Sequence, residues 1–111
     1  MQFANISPAL LYTANDLLGY CNATDPNIGD LSYHFRWFKD GVLNTSGQNN
    51  NSDNGFTKGL LINVHNMSSG NTSWGEEWIF SCRAFDSSQN STWMNSTSRY
   101  INNSAPVIDT L

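Results

Sequence analysis

Positive charge is scarce in this 111-residue chain: five Lys and Arg stand against nine Asp and Glu, for a net charge of −4. The five cations, Arg36, Lys39, Lys58, Arg83 and Arg99, are scattered instead of forming a stripe, so a phosphate backbone finds nothing to grip. Four Trp, four Tyr and six Phe do not restore a nucleic-acid reading, because base-stacking platforms work inside a positive groove. Long apolar runs are absent too, and nothing approaches the roughly 20 residues that cross a bilayer as a helix. The opening Met1-Gln2-Phe3-Ala4-Asn5 lacks the basic and apolar regions of a signal peptide, which suggests a piece of a longer exported chain or a mature product given an initiator methionine. With two histidines and two cysteines, neither a Ser-His-acid set nor a His/Cys metal-binding spacing can be read from the chain. No segment carries a sustained helical stripe or a helix cap.

What is abundant is uncharged polarity. Asn, Ser and Thr supply 38 residues and compose nine Asn-X-Ser/Thr sequons, at Asn5, Asn22, Asn44, Asn50, Asn66, Asn71, Asn90, Asn95 and Asn102. That density points to an extracellular or cell-surface protein, in which N-glycans would shield backbone from proteases. In a cytosolic chain the cysteines would stay reduced, and the sequons would be by-products of composition. The length suits one domain, since a chain of this size buries roughly two-thirds of its unfolded surface around a single core.

Period-two alternation marks the strands. In Leu17 to Ala23, an inward Cys21 brings Leu17, Gly19 and Ala23 with it and sends Leu18, Tyr20 and Asn22 outward. In Leu31 to Lys39, Leu31, Tyr33, Phe35 and Trp37 share one face, and Ser32, His34, Arg36 and Phe38 the other. Asp40-Gly41 reads as a hairpin turn into Val42-Leu43. Trp78, Phe80, Cys82 and Ala84 form the inward set of the run from Glu76 to Phe85. An opening strand is expected from Pro8 to Tyr12, with a turn at Asn15-Asp16, and another strand from Lys58 to Val64. Asn44 to Asn54 and Asn66 to Gly75 read as loops, the first mobile. A last strand lies within Thr92 to Ile101, with Trp93 or Tyr100 pointing inward. These elements predict an all-β, immunoglobulin-like β-sandwich of about seven short strands. Ser7-Pro8-Ala9-Leu10 is echoed by Ala105-Pro106-Val107-Ile108, 98 residues on, so 1–104 is expected to be the sandwich and 105–111 a linker or the first strand of a following module or subunit.

Three stretches, Gly19-Tyr20-Cys21-Asn22-Ala23-Thr24-Asp25-Pro26, Phe35-Arg36-Trp37-Phe38-Lys39-Asp40-Gly41 and Trp78-Ile79-Phe80-Ser81-Cys82-Arg83-Ala84-Phe85-Asp86, with the terminal Asn102-Asn103-Ser104-Ala105-Pro106, resemble the immunoglobulin-like modules repeated in large surface proteins of archaea and some bacteria. The resemblance implies that Cys21 and Cys82, on the second and penultimate strands, form a disulfide packed against the core tryptophan, Trp37. Phe80 falls two positions before the second cysteine, where many such domains have a tyrosine. Lacking the hydroxyl, that corner must be held by side-chain contact alone. Asp25-Pro26-Asn27-Ile28-Gly29-Asp30-Leu31 also looks like the acidic turn of cadherin-like and polycystic-kidney-type modules. Asp25, Asn27 and Asp30 are three oxygen donors where Ca²⁺ takes six to eight, too few to require a metal, and capping of a tight turn is the favoured reading.

For chemistry the inventory is thin. Glu76 and Glu77 are adjacent, and neighbours on a strand point to opposite faces, which ill suits a glycosidase pair. His34 faces away from Trp37, and His65 is expected at the surface. Tyr20, Phe38, Ile79 and Phe85 fall on outward faces and could stack on sugar or on another module. The function expected is a noncatalytic structural module, without cofactor or metal, of a glycosylated surface protein or extracellular filament, assembling with like modules or identical subunits. The alternative is an adhesin or carbohydrate-binding module.

Overall fold

The alternation around Trp37 becomes the longest strand. In the computed structural model, which describes residues 3–8, 10–23, 30–50, 56–57, 60–85 and 90–102, with the side chains of residues 30, 31 and 57 excepted, Asp30–Lys39 forms β4. It is preceded by β1 (Phe3–Ser7), β2 (Leu11–Tyr12) and β3 (Leu17–Asn22), and followed by β5 (Val42–Asn49), β6 (Phe56–Thr57) and β7 (Ile62–Met67). After a 3-10 turn at Ser69–Asn71 come β8 (Glu77–Phe85), β9 (Met94–Asn95) and β10 (Arg99–Asn102).

The strands make an all-β sandwich. One sheet has the order β1-β3-β7 and the other β2-β10-β8-β4-β5, with β6 also on β4 and β9 on β8. Described strand pairs are antiparallel except β2 with β10. Two sheets packed face to face in this way are the partition of a β-sandwich. About seven strands were expected and ten segments are found among the described residues. The first strand divides around Pro8 to join both sheets, β9 and β10 divide the last, and β6 is a two-residue piece.

The core is the predicted inward set. Leu17, Cys21, Tyr33, Trp37, Trp78, Phe80 and Cys82 are fully buried, with Ile6, Leu11 and Ile101 beside them. A Cys21–Cys82 disulfide joins β3 of one sheet to β8 of the other, with the Cα atoms 6.5 Å apart. Trp37 lies 4.6 Å from Phe80 and meets Trp78 edge-on at 6.1 Å between ring centroids, geometries that suit the aromatic quadrupole. Phe80 holds its corner by contact: a Cβ on Gly19 would stand 2.7 Å from Phe80 Cε1, so glycine is what lets β3 approach the ring. Asp40 (φ 51°) and Gly41 (φ 82°) both adopt the left-handed conformation that a two-residue hairpin between twisted strands requires.

Several expectations need correction. Phe3–Ser7 is a strand, whereas Pro8 is a bend and only Leu11–Tyr12 is extended in the expected opening strand. Residues 44–49 of the expected mobile loop Asn44 to Asn54 are instead strand, paired along β4 as part of β5, and residues 51–54 lie outside the described residues. The Lys58 to Val64 strand is displaced to Ile62–Met67, which takes Asn66 out of the following loop. Neither Trp93 nor Tyr100 points inward: Trp93 is half-buried and Tyr100 exposed, while Ile101 and Ser96 are the buried residues of that stretch. Asp25, Asn27, the side chain of Asp30 and the tail 105–111 lie outside the described residues.

Candidate functional site

The sequons are in phase with the strands. Within a pleat, residues i and i+2 share a face and i+1 takes the other. In Asn5-Ile6-Ser7, Asn66-Met67-Ser68 and Asn95-Ser96-Thr97 the middle residue is buried, while the asparagine and hydroxyl residue on either side are exposed or half-exposed; Asn71-Thr72-Ser73, at the end of the 3-10 turn and outside any strand, has the same order of burial. Asn22 precedes buried Ala23, and Asn44 and Asn90 precede Thr45 and Ser91, each less exposed than both of its sequon neighbours. In the six sequons with all three residues described, the middle residue is thus the least exposed of the three. Asn102 is exposed and Asn50 half-exposed.

Two anchors use hydroxyls in place of apolar groups. Ser96 N donates to Phe80 O at 2.8 Å, and Ser96 Oγ accepts from Phe80 N at 2.9 Å. Ser91 repeats the arrangement at Ala84, with 2.8 Å from Ser91 N to the carbonyl and 2.9 Å from Ala84 N to Oγ. A single residue satisfies both backbone groups of its partner on β8. The asparagines beside them, Asn90 and Asn95, therefore hang from a fixed backbone.

A cation–aromatic cluster occupies the outer face of the larger sheet. Register sets Arg83 opposite His34 and Ser81 opposite Arg36, and β9 runs alongside, with Asn95 opposite Ser81. The guanidinium carbon of Arg36 lies 3.6 Å from the centre of the Trp93 ring, and that of Arg83 4.8 Å from the same ring. His34 stacks on Phe85 at 3.9 Å and accepts from Arg83 Nε at 3.0 Å. Its pKa is pushed below the ordinary value by burial and by the Arg83 charge. No carboxylate among the described residues pairs with either arginine. Phe38, Ile79 and Phe85 on this face, and Tyr20 on the other sheet, are each half-buried.

Glu76 and Glu77 sit elsewhere and hold neighbouring groups. Glu76 Oε1 accepts from Trp78 Nε1 at 3.1 Å and from Ser73 N at 2.7 Å, and Glu76 Oε2 lies 3.5 Å from Lys39 Nζ. Glu77 Oε2 instead accepts from Tyr100 Oη at 3.1 Å, which raises the tyrosine pKa. The adjacent pair serves separate bonds. Among the described residues no three His, Cys, Asp or Glu side chains gather as metal ligands, and no helix is long and apolar enough to cross a membrane.

His65 departs from its expected surface role. It stacks on Phe35 at 4.2 Å and accepts from the indole N–H of Trp37 at 2.9 Å. Sequence reading missed this bond because the partners are 28 residues apart on different sheets; only the need of a buried Trp N–H for an acceptor could have pointed to it. No protein-family model, curated protein or solved structure matches the chain.

Proposed function

We propose that the chain is a noncatalytic structural module of a glycosylated surface protein or extracellular filament, giving spacing and assembling with like modules or identical subunits. The observation that carries this reading is the sequon phase. Composition alone creates Asn-X-Ser/Thr triplets, but it does not align them so that the middle residue anchors and the acceptor asparagine faces out. The disulfide across the sandwich supports an oxidising, extracellular location. Covalent N-glycans and the bridged core together give durability without an active site.

Protein secreted from an N-glycosylating host tests the reading by intact mass before and after removal of N-linked sugars. A loss equal to several glycans is expected; unchanged mass overturns the glycoprotein assignment. Assembly is tested separately by deleting residues 105–111 from self-associating material, where loss of end-to-end contacts with the monomer fold preserved is the expected result.

A second reading, an adhesin or carbohydrate-binding module, is favoured by the Arg36–Trp93–Arg83 cluster, which offers cations and ring edges on an exposed sheet face. Retention on immobilised acidic polysaccharide that disappears in Trp93→Ala, with the fold intact, would select it over the spacer.

A further inference from the structure

The outer face of the smaller sheet carries three sequon asparagines, one on each strand, and each stands directly opposite an apolar side chain. The register of β1 on β3 pairs Asn5 with Tyr20 and Phe3 with Asn22. The register of β3 on β7 pairs Leu18 with Asn66. Phe3 is 37% exposed and Leu18 and Tyr20 are half-buried, so a partly exposed apolar strip runs across this face. Residues directly opposite on antiparallel strands have their Cβ atoms about 4.5–5.5 Å apart. That separation places the first sugar of an Asn-linked glycan over the neighbouring ring or isobutyl group.

We infer that this face is a glycan-packing surface, in which the proximal sugars on Asn5, Asn22 and Asn66 lie on Tyr20, Phe3 and Leu18 respectively and complete the sandwich as a third layer. The ligand class is the chain's own N-linked saccharide, and the inference rests on the glycoprotein reading above. Attachment joins asparagine Nδ2 to the anomeric carbon of an activated sugar. The activating group leaves with the carbon–oxygen electron pair, Nδ2 loses one proton, and no oxidant or reductant is needed. Local geometry favours the outward nitrogen. Asn66 turns its Oδ1 to Asn63 Nδ2 at 2.9 Å, which leaves its own Nδ2 as the atom for the sugar. Asn63 also donates to Gly19 O at 3.0 Å, which fixes the Asn66 end of the face to β3. The saccharide's axial hydrogens give it an apolar face that suits Tyr20, and its hydroxyls keep the layer wet on the outside.

The test is a set of double-substitution cycles on protein secreted from an N-glycosylating host, with site occupancy read from glycopeptide masses. Asn5→Gln, Tyr20→Ala and the double variant form one cycle; Asn66→Gln with Leu18→Ala forms the second. Each cycle is expected to show coupling of roughly 1.5- to 5-fold in the unfolding equilibrium constant, the range of a cross-strand pair. Tyr20→Phe, which keeps the ring face, should retain the coupling. Trimming each glycan to its first sugar should leave it intact, and complete removal should abolish it. Occupied sites with strictly additive effects, or vacant Asn5 and Asn66 in a chain glycosylated elsewhere, overturn the inference and leave the glycoprotein reading standing. An absence of glycan at every sequon overturns both.

Discussion

Trp37 and His65 lock the two sheets together from inside: the indole N–H on β4 donates to Nδ1 of the imidazole on β7, 2.9 Å away. The acceptor nitrogen must be unprotonated, so the proton of the neutral ring sits on Nε2. Burial holds the His65 pKa below its ordinary value. The folded state therefore binds fewer protons than the unfolded chain as pH falls. The resulting stability is fully present above the unfolded histidine value and is lost progressively below it. His34, lowered by burial and by Arg83, acts in the same direction. Denaturant melts from pH 7.5 down to pH 5 are expected to show falling stability, with a shallower slope in His65→Gln. An equally steep slope in that variant would remove His65 as the source.

The disulfide closes a loop with a sequence separation of 61 residues. In the chain-entropy model this contributes about 4 kcal/mol. Non-reducing peptide mapping should find a single Cys21–Cys82 peptide pair, and replacing both cysteines by Ala should lower the denaturant midpoint by a corresponding amount. Two free thiols in secreted protein would contradict the bridge.

Gly19 and Phe80 predict a reciprocal pair. Gly19→Ala drives a methyl into the Phe80 ring and should cost about 1–3 kcal/mol by overpacking. Adding Phe80→Leu, which draws the ring back, should recover part of that loss, so the two effects would not add. Additivity in urea melts would show that the chain relieves the clash by moving β3.

Trp93 ties β9 to β4 and β8 through two guanidinium groups. Exposed cation–π contacts contribute about 0.5–1 kcal/mol each, so Trp93→Ala should destabilise by roughly 1–2 kcal/mol. A paired substitution of Arg36 and Trp93 should cost less than the sum of the single ones, measured by calorimetric melting.

The strands with one buried face were legible in the sequence, because burial imposes alternation. Leu17, Gly19 and Cys21, then Tyr33, Phe35 and Trp37, then Trp78, Phe80, Cys82 and Ala84 all turn inward as the period-two pattern predicts. Beyond the hairpin entry at Val42-Leu43, β5 was illegible for the complementary reason: six of its eight residues are exposed and the other two half-buried, so no apolar pattern faces a core, and backbone bonds to β4 hold it in place. β9 and β10 were obscured because Ser91 and Ser96 satisfy β8 through their hydroxyls, so the residues that anchor the last strand read as polar. The sequons themselves were legible, but their phase needed the burial of Ile6, Met67, Thr72 and Ser96. Likewise the Trp93 cluster required a register that brings Arg36 and Arg83 to neighbouring strands.

The larger sheet ends at β5, whose far side has no strand partner among the described residues. An unpaired strand is a template for neighbours, and proteins blunt such edges with Lys, Pro, bulges or cover. Val42–Asn49 contains neither Lys nor Pro, although the ladder shifts register between Trp37 and Phe38. It does contain exposed Asn44, an acceptor for a bulky sugar in the middle of the growth front. Glycosylation at that residue would act as a gatekeeper against aggregation, and chains made without sugar would be the ones to grow laterally into β-rich deposits.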